Sequence, residues 1–156
     1  RLAQLDIIAS MQPIHATSDY EMSNRHWGER SKWAYNPRIQ IDRGVKVVFG
    51  SDSPVDPFEP LNNIYAAVTR RRPDGTPGEN GWYPDARLTI DEALHGFTTG
   101  PAYAAGMEDR IGQIASGFLA DLVVVDRDLY TVTPDELLDI TVLGTMVEGR
   151  WRYGGV

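Results

Sequence analysis

Apolar positions along the chain fall into runs of different period. Ile7-Ile8-Ala9-Ser10-Met11 and Val45-Lys46-Val47-Val48-Phe49 are short apolar stretches. Each is closed by turn chemistry: Gln12-Pro13 after the first, Gly50-Ser51-Asp52-Ser53-Pro54 after the second. Runs of this length and make-up predict buried strands over 7–12 and 45–49. Between them, Asn36-Pro37 opens a short helix reaching 43, with Asn36 as N-cap and Pro37 at the first helical position. Residues 13–35 show no period and read as a long irregular loop, which in a compact domain is functional or mobile. Strand, loop, helix, strand is a βαβ unit and favours a parallel sheet.

Further on, Leu61, Ile64, Tyr65 and Val68 recur at i, i+3, i+4, i+7. They predict a helix from Pro60 to about 71 with one buried stripe. Residues 73–87 are rich in Pro, Gly, Asp and Asn and predict a surface excursion. Thr89 and Glu92 form a capping box for a helix carrying Ile90, Ala93, Leu94 and Phe97 on one face. Pro101 restarts a short helix that Gly106 stops. The pattern then turns β-rich. Strands are expected at 111–114 and 119–126 around Ser116-Gly117, a short helix behind the capping box Thr133-Pro134-Asp135-Glu136, and a hairpin of 141–147 with 150–153 about Glu148-Gly149. The fold class is α/β, with a division near 106–112 into residues 1–106 and 107–156.

A chain of 156 residues is long enough for a real core. Its net charge of −7, with no basic run beyond Arg70-Arg71-Arg72, argues against a nucleic-acid partner. No apolar run approaches membrane-spanning length. The absence of cysteine excludes disulfides and thiolate metal sites, and suits a reducing, cytoplasmic setting. Arg1 is not an initiator Met, and residues 1–6 read as the last turn of a helix, so the chain is expected to be a piece of something longer.

Candidate chemistry concentrates at strand tips. Asp52 follows the second strand, where loops of β/α proteins converge on one pocket. A carboxylate there can ligate a metal, act as a general base, or merely cap a turn. His15 follows the first strand in Gln12-Pro13-Ile14-His15; in a parallel sheet it opens on the same face as Asp52, unless it is simply a loop histidine. Arg30, in the same long loop, suits a bidentate grip on an anion. His26 reads as solvated, and His95, on a helix, as structural. Phosphate-loop, Gly-x-Ser-x-Gly and His-x-His patterns are missing.

Four pieces together resemble the amidohydrolase superfamily, in its family 3 of YtcJ-like metal-dependent hydrolases. They are Gln12-Pro13-Ile14-His15, Gly50-Ser51-Asp52-Ser53-Pro54-Val55, residues 93–102 (ALHGFTTGPA) and residues 112–126 (GQIASGFLADLVVVD). The resemblance implies the last two β/α units of a TIM-type (β/α)8 barrel, followed by part of a small flanking β-sandwich. Asp52 then looks like the strand-eight aspartate that ligates or neighbours the metal and takes a proton from its water. His15 looks like a strand-seven histidine contacting substrate, and Arg30 like a substrate-binding arginine after that strand. The implied cofactor is a divalent metal of the zinc class, and the substrate a small amide-type molecule. The family's His-x-His, its bridging lysine or acidic residue, and its other histidines are absent and are expected upstream of Arg1. A barrel of this class needs roughly 250 residues. By itself the chain is therefore expected to be inactive and to assemble with the remainder of its barrel or with itself. The competing reading is a non-catalytic α/β module for packing or interaction, in which Asp52 only shapes a turn.

Overall fold

The computed structural model describes residues 1–155. Strand β1 (Ala9–Met11) lies parallel to β2 (Val47–Phe49), in the register Ala9 to Val47, Ser10 to Val48 and Met11 to Phe49. Both are shorter than the apolar runs that predict them. Val45 is buried, but Ile7 is 45% exposed, so the first run's apolar character outlasts its burial.

The stretch between the strands corrects the expectation of an irregular loop. It holds α1 (His15–Ser18), α2 (Tyr20–Trp27) and a 3-10 helix, Gly28–Trp33. The buried residues here are Ala16, Thr17, Ser23 and Ser31, small or polar ones, so no apolar stripe marks these helices in the sequence. Polar contacts hold the segment instead: the buried Ser31 hydroxyl bonds Gly28 O at 2.7 Å, with Asn24 Oδ1 and the Tyr83 hydroxyl also in reach. Helix α3 (Pro37–Ile41) starts as its sequence dictates, with Ile39 N donating to Asn36 Oδ1 and Pro37 at its N-terminus.

Helix α4 (Pro60–Thr69) buries Ile64 and Tyr65, with Leu61 and Val68 half-buried beside them. The excursion at 73–87 is exposed over most of its length, but Trp82 and Ala86 are buried and pin it down. Helix α5 (Ile90–Phe97) carries the full capping box of Thr89 and Glu92. It crosses β2 so closely that a Cβ on Gly96 would meet the Phe49 ring at 2.2 Å, so only glycine fits there. Helix α6 is Thr99–Ala104.

The C-terminal part is an antiparallel sheet of β3 (Leu122–Val125), β4 (Val142–Val147) and β5 (Arg150–Gly154). Glu148 and Gly149 close the hairpin with φ of 51° and 74°, the left-handed pair of a type I′ turn. No strand forms at 111–114: Ile114 is 90% exposed, and Leu119 N bonds Arg110 O instead of a ladder partner. The second capping box is present but starts a 3-10 helix, Pro134–Asp139. From it Leu137, followed by Ile140, enters one core with Val47, Phe49, Ile64, Tyr65 and Leu88. Among the described residues, no helix is long and apolar enough to cross a membrane.

Arg38 on α3 grips Glu92 on α5 through both guanidinium nitrogens, at 2.6 and 2.5 Å. That pairing, assisted by the bonds Glu92 accepts from Thr89, holds the Glu92 carboxyl below its ordinary 4.5. A lowered folded-state value means stability present above pH 4.5 and lost as pH falls through the folded value. Urea denaturation of the intact protein should therefore show Glu92→Gln costing about 1 kcal/mol at pH 7. The gap to wild type should close below pH 4.5; a pH-independent gap would assign the loss to packing instead.

Candidate active site

Because Met11 and Phe49 are register partners, the chain leaves both strands at the same sheet edge. His15 begins α1, four residues past Met11; Asp52 lies three residues past Phe49. Asp52 takes a left-handed φ of 58°, and Val55 N donates to its carbonyl at 2.8 Å, so the chain reverses at once. The turn places two carboxylates on one imidazole nitrogen. His15 Nε2 lies 3.6 Å from Asp52 Oδ2 and 3.3 Å from Asp56 Oδ2. That nitrogen is buried and has no hydrogen-bond partner. The Asp52 side chain is 53% exposed and the Asp56 side chain 13%. Asp56 Oδ1 accepts a 2.8 Å hydrogen bond from Ser18 Oγ.

The segment that carries His15 is fastened to α4 by buried polar groups. Ile14 N donates to Oδ1 of Asn63, a fully buried residue, at 3.2 Å. The Tyr35 ring meets His15 edge-on at 5.8 Å, and its hydroxyl donates to Asp19 Oδ2 at 2.8 Å. Burial, and then that carboxylate, push the Tyr35 hydroxyl up to about 12, so it stays a protonated donor. The Tyr35 carbonyl accepts from Arg70 NH1 at 2.8 Å, while Arg70 Nε donates to the Trp82 carbonyl at 2.5 Å. Burial draws the Arg70 guanidinium down to about 10, still charged at neutral pH. A cleft of about 430 Å³ adjoins Asp56, with Ile14, Ser18, Tyr65 and Arg72 among its walls.

His15 and Asp52 thus share one edge, as their strand-tip positions suggest. Arg30 is exposed on the 3-10 helix Gly28–Trp33 and makes no hydrogen bond or ion pair to either of them. His26 is exposed on α2, and His95 shares a hydrogen bond with Thr99 Oγ1 at 2.5 Å within the α5–α6 corner. Asp56 is the residue that sequence reasoning passed over. Its signal is weak: an acid four positions beyond Asp52, across a proline, with nothing local to show that the turn folds back.

Among the described residues, no group of three or more His, Asp or Glu side chains is arranged to hold a metal ion. Asp52 has the chemistry of one hard oxygen ligand, half exposed and with no side-chain hydrogen bond among those residues. The donor set therefore fits a single ligand of a metal site but does not complete one.

The family model described as the amidohydrolase family (Amidohydro_3) matches residues 1–153. The chain is 36% identical over 155 residues to an N-substituted formamide deformylase of Arthrobacter pascens, covering 98% of this chain and 28% of the relative. It is 30% identical to YtcJ of Bacillus subtilis (strain 168), a protein named as an amidohydrolase, covering 98% of this chain and 29% of that one. An uncharacterized metal-dependent hydrolase from Pyrococcus horikoshii OT3 superposes with a TM-score of 0.72 at 32% identity, over 85% of this chain and 26% of the other. The chain thus spans between a quarter and a third of the length of these relatives.

Arg70 is 2% exposed and serves two carbonyls. In the intact protein, Arg70→Met should leave both carbonyls unpaired at a cost of about 2–5 kcal/mol. It should also release the excursion around Trp82 to faster proteolysis. Urea denaturation and a timed protease digest check this; an unchanged midpoint would mean that water replaces the guanidinium freely.

Proposed function

The chain belongs to the amidohydrolase family, and from that premise we propose that it is the closing part of a metal-dependent hydrolase that cleaves C–N bonds of amide type. Residues 1–106 are read as the last two β/α units of a (β/α)8 barrel, with β1 and β2 as its final strands. Residues 107–156 are read as part of a flanking β-sandwich. Two observations support this. The strands pair parallel and each has a free edge among the described residues. Apolar side chains such as Leu5, Ile7, Val123, Trp151 and Tyr153 are exposed, as surfaces awaiting a cover would be. That cover is the remainder of the same barrel or a second copy.

The observation that carries the chemistry is Asp52 and His15 side by side at the edge where both strands end. A zinc-class divalent ion, when bound, lowers the pKa of water toward neutrality and polarises the carbonyl under attack. Asp52 would be its ligand from this chain. The Asp52 carboxylate accepts the proton of the attacking water and returns it to the departing amine, so that amide and water become acid and amine. His15 flanks the substrate from the start of α1, just past the first strand. Arg30 is assigned to substrate contact. One carboxylate and one imidazole fall short of the three or four protein ligands zinc takes, so this chain alone is inactive. The formamide deformylase among the relatives supports amide-type substrates.

In the intact protein, Asp52→Asn should lower hydrolysis of an amide panel by at least about 10²-fold while the melting temperature holds. Turnover equal to wild type in that variant would remove Asp52 from the reaction.

A further inference from the structure

The proposed reaction leaves Asp56 without a task, and its surroundings supply one. We infer that Asp56 is the positioning residue for His15, a carboxylate fixed on one oxygen and presenting the other to the imidazole. This role presupposes the hydrolase reading only for the reaction it serves.

Two contacts and the burial of one nitrogen carry it. Ser18 Oγ donates to Asp56 Oδ1 at 2.8 Å, which fixes the carboxylate. Asp56 Oδ2 then faces His15 Nε2 at 3.3 Å, closer than Asp52 does at 3.6 Å. The Nε2 atom itself is buried and makes no hydrogen bond among the described residues, so these two carboxylates are its charged neighbours. Of the two ring nitrogens, Nε2 is the one set beside two carboxylates, which favour an N–H at that position. Asp56 thereby sets both the tautomer and the ring plane, the part that carboxylates play behind imidazoles in many sites.

Exposure separates the two acids. Asp56 is 13% exposed and held by Ser18; Asp52 is 53% exposed and held by no side-chain hydrogen bond among the described residues. The sheltered acid is fixed and suited to orient, whereas the open one is free to meet water and leaving group. Local folding explains the split. The left-handed Asp52 and the bond from Val55 N to its carbonyl turn the chain back over α1. That return lays Asp56 against the helix bearing both His15 and Ser18.

The test uses the intact protein and the variants Asp56→Asn, Ser18→Ala and His15→Gln, with an amide panel and ¹⁵N-histidine spectra. Asp56→Asn should lower kcat about 10–100-fold, with KM, metal content and melting temperature near wild type. In the His15→Gln background the same change should cost nothing further, because the two residues act as one unit. The ring-nitrogen signals of His15, identified by their loss in His15→Gln, should move in Asp56→Asn and, less, in Ser18→Ala, which keeps Asp56 and removes its clamp. Equal losses of kcat in both backgrounds, or unmoved His15 signals, would overturn the role. The spectra need no turnover, so they decide the matter even if the wild type cleaves no amide, an outcome that would sink the hydrolase reading alone.

Discussion

Six residues in two parallel strands hold the rest in place. Because Met11 pairs with Phe49, the segments after β1 and β2 start from one sheet edge and must run side by side. Shifting β2 by one residue would turn Asp52 and its loop toward the opposite face and bring Phe49 off α5. The close seat of Gly96 on the Phe49 ring leaves no room for a Cβ and is made only in the observed register. Register and helix packing therefore enforce each other, and the meeting of His15 with two carboxylates follows from both.

Beyond the sheet edge, polar rather than apolar groups fix the geometry. The segment from Pro13 to Tyr35 has few large buried hydrophobes, yet three separate groups tie it to the rest. Asn63 holds its start at Ile14, Arg70 holds its end at Tyr35, and Arg72 donates to the carbonyl of Thr17 between them. Each buried donor left without its acceptor would cost about 1–3 kcal/mol, so the segment has few alternative positions. Tertiary hydrogen bonding of this kind gives a strand-end segment the rigidity that positioning an imidazole requires.

The exposed apolar surface is unevenly distributed. Part of it lies on Leu5 and Ile7 before β1 and on the β3–β4–β5 sheet, where all of β5 is exposed, and part on the segments after the strands, at Trp33, Val55 and Phe58. A single shared core nonetheless joins the helical part to the C-terminal part through Leu137 and Ile140. The molecule is thus packed between its own elements and open on the face of its C-terminal sheet.

Where a structural choice depends on neighbours in sequence, the chain by itself determined it. Asn36-Pro37, Thr89 with Glu92, Thr133 with Glu136 and Glu148-Gly149 each satisfy or bend backbone within a few residues, and each does so in the fold. The stripe of α4 and the strand before Asp52 were legible because burial imprints a period on composition. Helicity between Pro13 and Tyr35 was not legible, since its buried residues are Ala, Thr and Ser and leave no such period. The loss of a strand at 111–114 was equally hidden, because an apolar run without a ladder partner stays outside a sheet. The return of Asp56 to His15, and the hold of Asn63 and Arg70 on the segment from Pro13 to Tyr35, arise in the tertiary fold alone. Those contacts join residues 41, 49 and 35 positions apart, a distance over which local backbone preference carries no information.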